Sequence, residues 1–156
     1  MTKYNLRPKK EHPALYRTAI KREVLDAIYE QILRKMIVEK CYLDATYTAQ
    51  RLAEELHTNT RYISAAVSLR CQMNYPSLIA GYRIREAVGI MTDKRNMNMS
   101  MQDIALASGF ANRQSFYTTF YKTYGTTPRQ YKTEFFAKHT SPSKPKDKKT
   151  YLPHES

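Results

Sequence analysis

MQDIALASGFANRQSFYTTFYKTYGTTPRQY, Met101 to Tyr131, reads as helix, tight turn, helix, turn, helix. Ser100 stands at an N-cap position, and Asp103 three residues on completes a capping box. Ile104, Ala105 and Leu106 supply an apolar face, with the small Ala105 suited to a close helix crossing. Gly109 permits the left-handed backbone that ends a helix sharply. Phe110 then plugs a core, and Asn112 caps the next helix. In that helix Phe116 and Phe120, four residues apart, face inward. Arg113, Gln114, Tyr117 and Thr118 are left on the outward face. A helix pair with polar, reaching side chains near the start of its second helix has the form that enters a DNA major groove.

Some 52 residues upstream the pattern recurs. Thr48 caps a helix to about Leu56, with Leu52, Ala53 and Leu56 inward, and the turn His57-Thr58-Asn59 leads to a helix from Thr60 to about Leu69. Ile63, Ala66 and Val67 form its apolar side, and Arg61, Ser64, Ala65 and Ser68 face out. Leu52-Ala53 and Ile104-Ala105 lie 52 residues apart, as do Thr48 and Ser100, and His57 and Gly109. After the turn the offset is 53, pairing Asn59 with Asn112, Ile63 with Phe116, Val67 with Phe120 and Gln72 with Gly125. The repeat implies two helix-turn-helix units. His57 occupies the place of the turn glycine, and histidine tolerates the left-handed region better than most residues.

A helix from about Ser77 to Met91 joins the units, with Pro76 near its first turn and Leu78, Ile79, Ala87, Val88 and Met91 on its buried side. Asn96–Met99 is a connector. Thr127-Pro128 starts a last helix to about Phe136. Upstream, Ala19 to about Glu39 has the helical stripe Val24, Leu25, Ile28, Ile32, Leu33 and Met36, followed by a loop over Cys41–Tyr47. Residues 1–18 are expected to form a basic, loosely held arm, and residues 137–156 a Pro/Lys/Ser-rich disordered tail. The fold class is therefore all-α: two helix-turn-helix subdomains joined by a linker helix.

The 156 residues carry a net charge of +12. Residues 1–42 contribute +5, residues 43–136 contribute +4 and residues 137–156 contribute +3. This balance suits a polyanionic partner, with the flanks adding sequence-independent attraction to phosphates. Plain solubility is the bland alternative. Two cysteines, Cys41 and Cys71, support neither a disulfide framework nor a four-cysteine zinc site and read as reduced thiols in a cytoplasmic protein. No catalytic constellation, metal-ligand spacing or phosphate-cradling glycine loop is present, so neither an enzyme nor a cofactor is expected. The opening residues lack a signal-peptide pattern, and no run of eighteen apolar residues suggests a membrane span.

IALASGFANRQSFYTTFYKTYGTTPRQYK resembles the signature of the AraC/XylS family of transcription regulators: Ile104, Ala105, Gly109, Phe110, Phe116, Phe120, Gly125, Thr127, Pro128 and Tyr131 fit it. LAEELHTNTRYIS and YRIREA resemble the family's first unit and linker helix, and the likeness covers roughly Ala19 to Phe136. It implies a seven-helix, bilobed DNA-binding domain whose third and sixth helices occupy adjacent major-groove segments. The base-facing positions it implies are Arg61, Ser64 and Ala65 in the first reading helix, and Arg113, Gln114, Tyr117 and Thr118 in the second. Asn59, Asn112, Lys122 and Thr127 are secondary candidates for phosphate contact. The asparagines and Thr127 serve first as caps, and Lys122 suits a helix C-terminus in any case. The family often has arginine where Ala65 and Thr118 stand, a basic residue at Tyr121 and glycine at Gln72. Many members carry a further ligand-binding or dimerisation domain; the chain looks like the short, stand-alone kind.

Three functional readings result. The leading one is a sequence-specific regulator binding double-stranded DNA as a monomer. The others are a weakly specific architectural DNA-binding protein, and an adaptor whose Val24–Met36 helix docks a partner such as an RNA polymerase subunit.

Overall fold

The computed structural model describes residues 11–139, with side chains from Arg22 onward. These residues form seven α-helices: α1 (Glu11–Ile37), α2 (Ala49–Glu55), α3 (Thr60–Cys71), α4 (Tyr75–Met91), α5 (Met101–Ala107), α6 (Arg113–Tyr124) and α7 (Pro128–His139). A short 3-10 turn at Cys41–Leu43 lies within the expected loop Cys41–Tyr47, and a second, at Lys94–Asn96, lies just before the expected connector Asn96–Met99 and shares only Asn96 with it. No strand occurs among the described residues. None of the described helices is long and apolar enough to cross a membrane.

Two apolar cores share one helix. Leu25, Ile28, Tyr29, Ile32 and Met36 of α1 pack with Leu52 and Ala53 of α2, Ile63, Ala66 and Val67 of α3, and Tyr75, Leu78 and Ile79 of α4. The second core takes over further along α4, where Ile84, Ala87 and Met91 meet Met101, Ile104, Ala105, Phe110, Phe116 and Phe120. The buried residues of α4 thus divide between the cores, the first half of the helix serving one and the second half the other. A helix embedded in both cores ties two small units together, each too small to bury much surface alone.

Several boundaries differ from the sequence expectation. α1 begins at Glu11, eight residues before the expected Ala19. Pro13 falls in its first turn, where the missing N–H would have had no helical partner anyway. Residues 11–18 are therefore helical, and the rest of the expected arm, residues 1–10, lies outside the described residues. α4 begins at Tyr75 rather than Ser77, because the Asn74 side chain accepts a bond from the Ser77 N–H at 2.9 Å and Pro76 occupies the second helical position. α7 runs to His139, so Ala137 to His139 of the expected tail are helical and residues 140–156 lie outside the described residues. Within the α1 stripe, Val24 is 45 % exposed and Tyr29 is buried in its stead. Leu106, expected on the apolar face of α5, is half exposed.

Candidate nucleic-acid interface

The second unit is built by caps and one aromatic cluster. Ser100 Oγ accepts the Asp103 N–H at 3.1 Å, starting α5. At the other end the buried Ser108 hydroxyl donates to the Ile104 carbonyl at 2.7 Å, and Gly109 turns the chain with φ +92°. Asn112 Oδ1 accepts the Ser115 N–H at 2.8 Å, opening α6. Phe116 and Phe120 are fully buried, their ring centroids 5.7 Å apart. Phe116 packs on Phe110 at 5.2 Å, and Phe120 on Tyr131 of α7 at 5.4 Å. Edge and tilted contacts of this kind fix the rotation of α6 about its axis.

That rotation decides what α6 presents. Arg113, Gln114 and Thr118 are exposed, and Tyr117 is half-buried against the second core. The Arg113 guanidinium lies over the Tyr117 ring, 4.9 Å from its centroid. Tyr121 is 59 % exposed, one helical turn beyond Tyr117. The four expected reading residues of α6 thus share one stretch of its outer surface. Thr127 Oγ1 accepts the Gln130 N–H at 3.2 Å, so this hydroxyl is occupied as the cap of α7. Lys122 is exposed and lines a groove with Thr119 and Thr123 of α6 and Asn74, Ser77 and Gly81 at the facing side of α4, roughly 460 Å³ in volume.

The first unit follows the same plan with other residue types. Thr48 Oγ1 accepts the Arg51 N–H at 3.2 Å, and Asn59 Oδ1 accepts the Tyr62 N–H at 3.0 Å. Where the second unit has Gly109 and Gly125 at positive φ, the first has His57 at φ +54° and Gln72 at φ +55°. The repeat is thus carried in backbone conformation even where its glycines are gone. Arg61 and Ser64 are exposed on α3, whereas Ala65 is partly buried against the first core. Ala65 and Arg61 line a shallow hollow with Leu25, Asn59 and Tyr62, roughly 160 Å³ in volume. Ala65 accordingly offers a methyl edge at most.

The units also differ in charge. Residues 22–91 hold nine Lys/Arg against eight Asp/Glu, a net +1, while residues 92–139 hold seven against three, a net +4. Much of the first unit's positive charge is already paired. Lys35 bonds Glu39 at 2.8 Å and Glu55 at 3.1 Å, Arg51 bonds Asp44 at 2.7 Å, and Arg70 bonds Asp26 at 2.9 Å. Arg61, Arg113 and Lys122 enter no ion pair among the described residues. Unpaired cations beside a reading helix are the ones free to meet phosphates or base edges.

Arg83 of α4 has a structural role. Its Nε donates to the Tyr42 carbonyl at 2.8 Å and an Nη to the Asp44 carbonyl at 3.0 Å. Arg85 instead lies over the Tyr82 ring at 4.7 Å. Cys71 is half-buried, with its sulfur 2.8 Å from the Tyr29 hydroxyl, joining α3 to α1.

A family model described as a helix-turn-helix domain matches residues 52–134, just over half of the chain. The melibiose operon regulatory protein of Escherichia coli K12 is 30 % identical over 89 residues, which are 57 % of this chain and 28 % of that protein. The chain therefore spans under a third of the length of that relative. The C-terminal domain of the two-component response regulator yesN from Fusobacterium nucleatum superposes with a TM-score of 0.56 at 26 % identity, covering 67 % of this chain and 98 % of that one. The DNA-binding domain of AdpA, a global transcriptional factor solved in complex with a target DNA, superposes with a TM-score of 0.62 at 15 % identity, covering 73 % and 96 %. At that identity the last likeness speaks for the fold alone.

Proposed function

This chain belongs to the AraC/XylS-type helix-turn-helix family, and from that membership we propose that it is a sequence-specific, double-stranded DNA-binding transcription regulator. In this reading α3 and α6 enter adjacent major-groove segments, one DNA turn or roughly 34 Å apart, so that a single chain binds a site lacking two-fold symmetry. The observation that carries it is the presentation of Arg113 and Gln114. Both are exposed at the capped start of a helix whose opposite face is fixed in an aromatic core. Arginine can bond guanine and glutamine adenine through paired hydrogen bonds, each good pair contributing about 1–3 kcal/mol of discrimination.

Arg61 and Ser64 are the corresponding readers of α3, with Ala65 contributing only apolar contact. Asn59 and Asn112 place the first N–H groups of α3 and α6 toward the phosphates that flank each groove. Lys122 supplies sequence-independent attraction.

Selection of bound fragments from a pool of random duplexes, followed by titration, tests the reading. A selected site should be bound about 10³-fold or more tightly than random duplex. A ratio within a few-fold, with most affinity lost on removal of residues 140–156, would instead favour the architectural reading. That alternative draws on the eight of twelve excess charges that lie in residues 1–42 and 137–156.

A further inference from the structure

The two units also meet at a point that neither helix-turn-helix motif requires. Between α1 and α2 the chain makes its 3-10 turn at Cys41–Leu43, entered through Lys40 at φ +50°. α4 grips this turn from one side. Arg83 holds the Tyr42 and Asp44 carbonyls, the Tyr42 hydroxyl donates to Glu86 at 2.9 Å, and the Tyr42 ring stacks on Tyr82 with centroids 5.6 Å apart. From the other unit comes Gly109. A Cβ at Gly109 would stand 2.0 Å from the Tyr42 carbonyl oxygen and 2.9 Å from Leu43 Cα. No side chain fits there. The Tyr42 carbonyl is therefore held by the linker helix and touched by the turn that aims α6.

The Arg83 guanidinium is half-buried, and burial draws its pKa below the ordinary arginine value. Taking a charge out of water is unfavourable unless its donors find partners, and here two carbonyls of one short turn accept two of its N–H groups. Were α4 the only connection, the units could rock about it. The Tyr42 turn adds a second point of attachment away from the α4 axis, and two attachments resist a rotation that one permits.

We propose that this clasp, formed by Arg83, the Tyr42–Asp44 turn and Gly109, sets the relative placement of α3 and α6, so that the spacing between the two elements of the DNA site is read by residues that do not touch DNA. The inference rests on the two-helix reading above. One inserted base pair displaces the second element by about 3.4 Å and rotates it by roughly 35°. A stiff pair of units cannot follow that change, whereas a loosened pair can.

The test uses the full chain and a duplex selected from random DNA, together with two derivatives carrying one base pair more or fewer between the elements. The wild type should bind the selected spacing at least about tenfold more tightly than either derivative. Arg83→Met should narrow that ratio to within about threefold while leaving the base preferences inside each element unchanged, and Arg83→Lys, which keeps the charge and one bond, should fall between. Tyr42→Phe, which loses only the bond to Glu86, gives a milder version of the same change and serves in place of Arg83→Met should that variant not fold. An unaltered ratio in these variants overturns the clasp, as does an equal loss of affinity on all three duplexes. A wild type that tolerates either derivative overturns it while leaving specific DNA binding intact. A wild type that selects no sequence overturns both.

Discussion

The guanidinium of Arg113 lies over the Tyr117 ring, 4.9 Å from its centroid, with one Nη 3.4 Å from the phenol oxygen. Two expected reading residues, one helical turn apart, thus hold each other before any DNA arrives. The oxygen contact is long, so the ring face carries most of the attraction, on the order of 0.5–1 kcal/mol at an exposed site. Such a stack narrows the rotamers of a long side chain and lowers the entropy lost on binding.

Arg113→Ala should relax base preference at one position of the selected site, costing about 1–3 kcal/mol there and little elsewhere. Lys122→Ala should weaken every duplex alike and reduce the slope of log affinity against log salt by about 0.9. Titration against single-base variants at two salt concentrations separates the patterns. Equal loss for Arg113→Ala on every duplex would remove it from the readers.

Tyr117→Ala frees Arg113, whereas Tyr117→Phe keeps the ring beneath it. If the stack matters for presentation, Tyr117→Ala should weaken discrimination at the Arg113 position as well as its own, and Tyr117→Phe should spare the former. A double-mutant cycle of Arg113→Ala with Tyr117→Ala should then be non-additive by about 0.5 kcal/mol or more. Strict additivity would mean that the two side chains act independently.

Gly109 and Gly125 both sit at positive φ, at +92° and +67°, but their surroundings differ. A Cβ at Gly125 meets nothing within 4 Å, while one at Gly109 meets the Tyr42 backbone. Gly125→Ala should cost about 1 kcal/mol of backbone strain, and Gly109→Ala substantially more, since strain and overlap add. Urea unfolding gives both numbers. Equal losses would show that the Tyr42 turn yields easily.

Much of the second unit is legible from its residues because its special positions are filled by the residue types that suit them: Ser100 and Asn112 as caps, Gly109 and Gly125 at positive φ, Phe116 and Phe120 inward. The first unit uses His57 and Gln72 at its left-handed positions; its cap and apolar spacing show the helices, but only alignment to the second half marks these two residues as counterparts of the turn glycines. The start of α1 is hidden by Pro13, which reads as a breaker yet suits a first turn. Tyr29 escapes an aliphatic stripe because its ring is apolar and its hydroxyl finds Cys71. Arg83 is opaque for a different reason. Its acceptors lie 41 and 39 residues away, and no local pattern encodes such a meeting.

The same contrast between units makes a stability prediction. Non-glycine residues in the left-handed region carry roughly 1 kcal/mol of strain. Gln72→Gly removes it at an exposed helix end, although glycine also gains freedom in the unfolded chain. The net expectation is a stabilisation of a few tenths to about 1 kcal/mol, read as a higher urea midpoint with unchanged slope. A lower midpoint would mean that the Gln72 side chain contributes contacts worth more than the strain.

Acid should loosen the first unit through the segment that joins α1 to α2. The Asp44 carboxyl accepts the Thr46 hydroxyl at 2.7 Å and the Thr46 N–H at 2.8 Å, with Arg51 at 2.7 Å, and these hold its pKa at about 2, below the ordinary 3.8. Glu55 is also held low, first by the Tyr47 hydroxyl at 2.7 Å and then by Lys35. A carboxyl depressed in the folded state contributes its full stabilisation above the unfolded value and loses it as pH falls through the folded one. Stability should therefore be level above about pH 5 and fall between about pH 4 and pH 2. Asp44→Asn should start lower at neutral pH and fall less steeply on acidification, with Glu55 and the Arg95-bonded Asp93 accounting for the slope that remains. Urea midpoints of both proteins between pH 7 and pH 2.5 measure this. Parallel curves would show that Asp44 titrates alike in the folded and unfolded chain, and that the Thr46 and Arg51 bonds do not hold the turn in solution.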